Sequence, residues 1–151
     1  MIITICASVS FYRQAAEVQE RLEKIGYEVL IPLVAQKMKE TGDYEVSHYK
    51  TWFEDAADYH KKTDLMQKHF EKVAKGDVCL VLNYEKHGQP NYIGGNVLME
   101  MALAFWLKKP IFLMNDIPEN SPFLEEIIGL GSVPLHGKIE LMDQELAKSS
   151  G

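Results

Sequence analysis

Four short apolar runs, separated by segments with a helical period, constrain the fold of this chain more than any other feature. Residues 2–6 (IITIC), 27–32 (YEVLIP), 77–83 (DVCLVLN) and 110–115 (PIFLMN) are too short for core helices and too evenly apolar for strands with a wet face. Runs of this kind belong to strands covered on both sides, as in parallel sheets. Between the first two, Phe11, Ala15, Val18, Leu22 and Ile25 recur at spacings of four and three, after Ser8 or Ser10 as a helix cap and before Gly26 as a stop. Residues 61–75 carry Leu65, Met66, Phe70 and Val73 on one face and end at Gly76, the pattern of a crossover helix. A very apolar helix over 96–107 precedes the fourth strand. A short helix at 123–128 and a weak strand at 133–135 follow, and the tail ELAKSSG is expected to fray.

Strands alternating with helices at these intervals predict one α/β domain over residues 1–151. The expected form is a Rossmann/flavodoxin-like three-layer sandwich with a five-stranded, mostly parallel sheet in the order 2-1-3-4-5. Residues 33–60 are polar, aromatic and without a clean period, and read as a helical insertion over one end of the sheet. Its aromatics Trp52, Phe53 and Tyr59 look exposed, suited to a lid or a subunit interface.

Composition removes several function classes. A net charge of −6 with no dense Lys/Arg block argues against a nucleic-acid polymer or an anionic membrane as partner. No segment approaches the roughly 20 apolar residues of a membrane span, and the N-terminus lacks a basic leader, so the expected location is cytoplasmic. Cys6 and Cys79 sit inside strand runs, without a CxxC pair, and read as reduced core thiols. The five histidines show no ligand spacing, and GxGxxG is absent, so neither a metal nor a redox cofactor is expected.

In an open parallel sheet, ligands bind beyond the carboxyl ends of the strands where strand order reverses. That places the site at the loops after Cys6, Asn83 and Asn115. The loop after Asn83 runs through Asn91 to Gly94 and Gly95, which either make a tight turn or let a ligand approach the backbone and the amide groups of the next helix. That helix holds one charge in an apolar run, Glu100. With Asn96 as N-cap, the capping-box position falls on Met99, one residue too early for Glu100, which leaves helix-dipole stabilisation or function as explanations.

The segment GGNVLMEMALAFWLKKPIFLMN, with ICAS closing the first strand, resembles the nucleoside 2-deoxyribosyltransferase superfamily, which includes the deoxynucleoside 5′-monophosphate N-glycosidases. The GG-x4-E spacing is also similar to that of lysine-decarboxylase-like phosphoribohydrolases. Both resemblances imply cleavage or transfer at an N-glycosidic bond of a nucleoside or nucleoside 5′-monophosphate, with Glu100 as nucleophile. They also imply a homodimer or higher oligomer. Ser8, with Ser10 and Arg13, falls where the resemblance implies a phosphate contact; Asn83, Asn91 and Asn96 are polar groups near the site suited to sugar hydroxyls or to turns, and Gly94 and Gly95 would let the backbone approach the ligand. The family's strand-one tyrosine is replaced by Thr4, its polar residue six before the nucleophile by Gly94, and its second acid by His69. His69 is either a half-buried helix residue beside Leu65 and Phe70 or a general acid with its pKa near neutrality. Asp77 opens a strand away from the site and reads as structural. The competing class is a non-catalytic module binding a nucleotide or nucleotide-sugar in the same pocket.

Overall fold

A computed structural model describes the backbone of residues 1–150 and the side chains of residues 1–148. Five strands, β1 (Ile2–Ala7), β2 (Glu28–Leu30), β3 (Val78–Leu82), β4 (Ile111–Leu113) and β5 (Val133–Pro134), form one sheet in the order β2-β1-β3-β4-β5. Every neighbouring pair is parallel, with Thr4 opposite Leu30 on one side and Cys79 on the other. The order and the α/β class are those read from the sequence.

Strand alternation sorts the core into two layers. Ile3, Ile5 and Ala7 of β1, Val78, Leu80 and Leu82 of β3 and Phe112 of β4 share one cluster with α1 (Tyr12–Lys24) and α6 (Leu141–Ser150). Cys6, Cys79, Val81, Ile111 and Leu113 point the other way, into a cluster with α3 (Tyr59–Lys75), α4 (Gly95–Trp106) and α5 (Leu124–Gly129). Because successive strand side chains alternate, Cys6 must face α3 and α4 once Ile5 faces α1. That parity places a thiol next to the helices that carry His69 and Glu100.

Several local expectations are corrected. The insertion is only partly helical: α2 (Leu33–Thr41) buries Val34, Ala35 and Met38 and stops at Gly42, which is left-handed at φ 74°. Two 3-10 turns, Val46–His48 and Ala56–Asp58, then lead directly into α3. Trp52 is not exposed but 4% accessible, whereas Phe53 and Tyr59 do face solvent. Leu141–Ser150 is helical where fraying was expected, because Leu141, Met142 and Leu146 dock on the α1-side core; Gly151 lies outside the described residues. Neither Ser8 nor Ser10 caps α1 through its side chain, since a 3-10 turn (Val9–Phe11) intervenes and Phe11 occupies the cap position.

Candidate active site

The helix after β3 begins earlier than its sequence implies. Gly94 is the N-cap and Gly95 the first helical residue, which makes Asn96 the second and Glu100 the sixth. Glu100 therefore lies beyond the first turn, where neither a capping box nor the free amides of the helix start reach it. Its position on the helix decides its surroundings. Val97, Glu100, Met101 and Ala104 form the buried stripe of α4, at the i, i+3, i+4, i+7 spacing of a core-facing helix. The carboxylate thus occupies a core position and is 4% exposed.

On α3 the buried stripe consists of His69 and Val73. His69 is not half-buried as its neighbours suggested; it is 6% exposed and faces Glu100. Its Nε2 lies 3.6 Å from Glu100 Oε2 and 3.6 Å from Cys6 Sγ. The Cys79 thiol donates to Cys6 Sγ at 3.7 Å. Three elements thus converge three different proton-carrying groups in a nearly dry space.

Burial dominates their acid–base behaviour. It raises the Glu100 carboxyl to about 8, against smaller lowering by the Lys62 charge and the contact with Cys6. Burial, helped by the charge of Lys72, lowers His69 to about 4. Contact with Cys79, then burial, hold the Cys6 thiol well above its usual range, and the charge of Glu100 adds to this. The Tyr12 phenol is pushed up by burial and by Glu100. Near neutral pH the Glu100–His69 pair consequently carries one proton and no net charge, the arrangement that least penalises burial.

Glu100 and His69 open onto a cavity of about 190 Å³ at the carboxyl ends of β1 and β3. This is smaller than the roughly 300–1,000 Å³ of drug-sized ligand clefts, so it encloses part of a ligand and leaves the rest toward its mouth. Ser8, Tyr12, Trp52, Tyr92, Gly94 and Gly95 line it. A larger cleft of about 630 Å³ shares Tyr92, Gly94 and Gly95 but none of the buried titratable groups. The chemistry therefore belongs to the smaller one.

Three lysines ring the cavity. Lys86 Nζ donates to Ser8 Oγ at 3.1 Å and sits 4.9 Å from the Tyr92 ring centre. Lys62 Nζ donates to Asn96 Oδ1 at 3.4 Å and lies 5.8 Å from the Trp52 ring centre. Lys50 is half-buried; desolvation lowers its pKa, and the charges of Lys62 and Lys86 lower it further. Among the described residues none of the three has a carboxylate within ion-pair distance. Cations that repel one another around a cavity without an acidic partner favour an anionic ligand.

The residues singled out from the sequence divide into two groups. Glu100, His69, Ser8, Gly94, Gly95 and Asn96 all line the cavity. Gly94 and Gly95 have no positive φ, so a tight turn does not explain them. A Cβ on Gly94 would meet Tyr92 Oη at 3.0 Å, whereas one on Gly95 would meet nothing within 4 Å. Asn83, by contrast, is a structural clamp: its side chain accepts from the Asn115 N–H at 2.9 Å and donates to the Asp116 carbonyl at 2.9 Å. Ser10 is exposed and off the cavity. Arg13 stacks on Tyr44 instead. Asn91 takes a left-handed turn at φ 57°. Thr4 donates to the Lys72 carbonyl at 2.8 Å, and Asp77 accepts from the Ile2 N–H at 2.8 Å, so both serve the frame.

Sequence reasoning missed Cys6, Tyr12, Lys50, Lys62 and Lys86 as site residues, and offered Trp52 as an exposed lid or interface aromatic where it is a buried wall of the cavity. Tyr12 had a usable signal, since it lies one helical turn beyond Ser8. The lysines had none, being scattered over the insertion, α3 and the loop after β3.

No family model and no curated protein matches the chain. Among solved structures it is similar to the 2-deoxyribosyltransferase of the psychrotolerant bacterium Bacillus psychrosaccharolyticus, a biocatalyst for nucleoside synthesis. The likeness has a TM-score of 0.50 at 14% identity, over 75% of this chain and 71% of that one. At this identity the match shows a shared fold.

Proposed function

We propose that this protein cleaves or transfers the N-glycosidic bond of a nucleoside 5′-monophosphate, with Glu100 as nucleophile. The observation that carries the reading is a carboxylate held at a core position of α4, 4% exposed, yet opening onto a cavity at the ligand-binding edge of the sheet. A carboxylate is energetically costly there unless it is used. The deoxyribosyltransferase-like fold supports the same bond as target.

In this reading Glu100 passes its proton to His69 Nε2, 3.6 Å away, and becomes the attacking carboxylate. It adds to the sugar C1′ as the bond from C1′ to the base nitrogen breaks, giving a glycosyl ester. The departing base takes up the proton that His69 holds. Water then hydrolyses the ester, or a second base accepts the sugar. The apolar surround strengthens the carboxylate's interaction with the oxocarbenium charge that develops at C1′. Ser8, Lys50, Lys62 and Lys86 hold the 5′-phosphate, Gly95 lets the sugar approach, and Tyr12 and Trp52 close the walls. No metal or redox cofactor enters this chemistry.

The active unit is a homodimer or larger homo-oligomer in a reducing, cytoplasmic setting. Its contact uses the outer face of α4, where Met99, Phe105 and Trp106 are exposed, the last at 79%. Light scattering showing a monomer at micromolar concentration removes this part. The activity is tested with a panel of nucleosides, deoxynucleosides and their monophosphates, followed by chromatography for free base. Binding without base release would instead favour a nucleotide-sensing module with the same pocket.

A further inference from the structure

We propose that Cys6, His69 and Glu100 form a binding site for one thiophilic divalent cation, zinc above all, with three protein ligands and a fourth position facing the cavity. This goes beyond the glycosidase reading and does not rest on it. The argument begins with distances. Cys6 Sγ and Glu100 Oε2 each lie 3.6 Å from His69 Nε2, and the three donor atoms all fall within 4.8 Å of one another. With Zn–S near 2.3 Å and Zn–N or Zn–O near 2.0–2.2 Å, the edges of a tetrahedral zinc site measure roughly 3.3–3.6 Å. Two of the three edges therefore already have ligand spacing, and the Cys6–Glu100 edge is no longer than 4.8 Å.

The donor set and its setting agree. Thiolate, imidazole and carboxylate together suit zinc better than magnesium or calcium, which prefer oxygen alone. The ligands stand on β1, α3 and α4, rigid elements packed into one core cluster, so little ordering remains for the metal to impose. One thiolate and one carboxylate neutralise a divalent cation, which makes the burial of its charge tolerable. A bound cation also deprotonates a coordinating thiol outright. Cys79, whose thiol donates to Cys6 Sγ at 3.7 Å, supports the ligand sulfur from outside the coordination sphere. Glu100 and His69 line the cavity, which gives the ion its path in and leaves its open position toward a bound molecule. A cation held by Glu100 withdraws the carboxylate from C1′, so metal loading and glycosyl transfer exclude each other.

The test is cobalt(II) titration of the full chain, freed of metal by chelator and kept under reducing, anaerobic conditions. The expected result is one equivalent of Co²⁺ bound, with a near-ultraviolet thiolate-to-cobalt charge-transfer band and tetrahedral visible bands, both erased by Zn²⁺. Cys6→Ser removes the charge-transfer band while Cys79→Ser keeps it, and Glu100→Gln and His69→Ala each weaken binding by at least about tenfold. No charge-transfer band in the unmodified protein overturns the proposal, as does a band that survives in Cys6→Ser. The unmodified chain alone decides the first point, so a poorly folding variant does not blunt the test. The spectra are taken without nucleotide, so failure of the metal site and failure of base release are separate results.

Discussion

Replacing Glu100 by Gln should make the protein relatively more stable as pH rises, by an amount that the buried pair fixes. In the metal-free fold burial raises Glu100 to about 8 from its ordinary 4.5 and lowers His69 to about 4 from 6.5. A raised carboxyl contributes stability that is present below its unfolded pKa and lost as pH climbs to the folded one. A lowered histidine does the reverse: its contribution is present above 6.5 and is lost as pH falls toward 4. Between pH 4.5 and 6.5 the folded and unfolded pairs each hold one proton, so the two slopes cancel. Between 6.5 and 8 the folded pair holds one proton and the unfolded pair none. Stability then falls by about 1.4 kcal/mol per pH unit, on the order of 2 kcal/mol in all.

Glu100→Gln removes that fall, so the variant gains on the unmodified protein by the same amount between pH 6.5 and 8. In a chain of this size that corresponds to a relative shift in Tm of roughly 4–8 °C. Below pH 6.5 the difference keeps the same slope, because His69 alone then sets the variant's pH dependence and the variant loses stability, as pH falls toward 4.5, that the unmodified protein keeps. The assay is urea unfolding of both proteins with a chelator present, at several pH values from 4.5 to 8.5. Surface groups titrate equally in both and drop out of the difference. A difference that stays flat from pH 6.5 to 8 refutes the buried, proton-sharing pair.

Further consequences can be measured independently. For the unmodified enzyme kcat/KM should fall as pH rises through about 8, since the Glu100–His69 pair then loses the proton that the departing base takes up; a pH-independent profile contradicts this. Lys86→Ala should raise KM for a monophosphate by roughly 10–100-fold, the worth of a charged hydrogen bond, and leave the unphosphorylated nucleoside unaffected; steady-state kinetics on the two substrates reads the difference. Gly76→Ala should destabilise by about 1–3 kcal/mol, because its Cβ would come 2.2 Å from Thr4 Oγ1, and calorimetry checks it. Gly95→Ala has open space at the first helical position and should change stability by no more than about 0.5 kcal/mol while impairing substrate binding. Unchanged binding there argues against close approach of the sugar.

The strands were legible because each is buried on both faces and reads as an unbroken apolar run. The helices α1 and α3 were legible because one stripe is wet. Glu100 stood out for the same reason in reverse, as the one charge in an apolar stretch. Its partners did not. Cys6, His69 and Glu100 are separated by 63 and 31 residues, and only strand parity and two helix stripes bring them together. Spacing rules search within one element, so a cluster drawn from three of them leaves no local pattern. Trp52 was misjudged because the chain from Gly42 to Asp58 is held by side-chain caps such as Asp55 to the Ala57 N–H, which create no period. Asn83 was chosen for its polarity at the correct strand end, but its buried amide joins β3 to the chain after β4.

Free base released from a deoxynucleoside 5′-monophosphate, measured by chromatography for the unmodified protein and Glu100→Gln side by side in chelator, tests the central claim most directly. The account predicts release by the unmodified protein and a rate lower by orders of magnitude in the variant, with the monophosphate still bound. A Gln variant that releases base at the unmodified rate contradicts it.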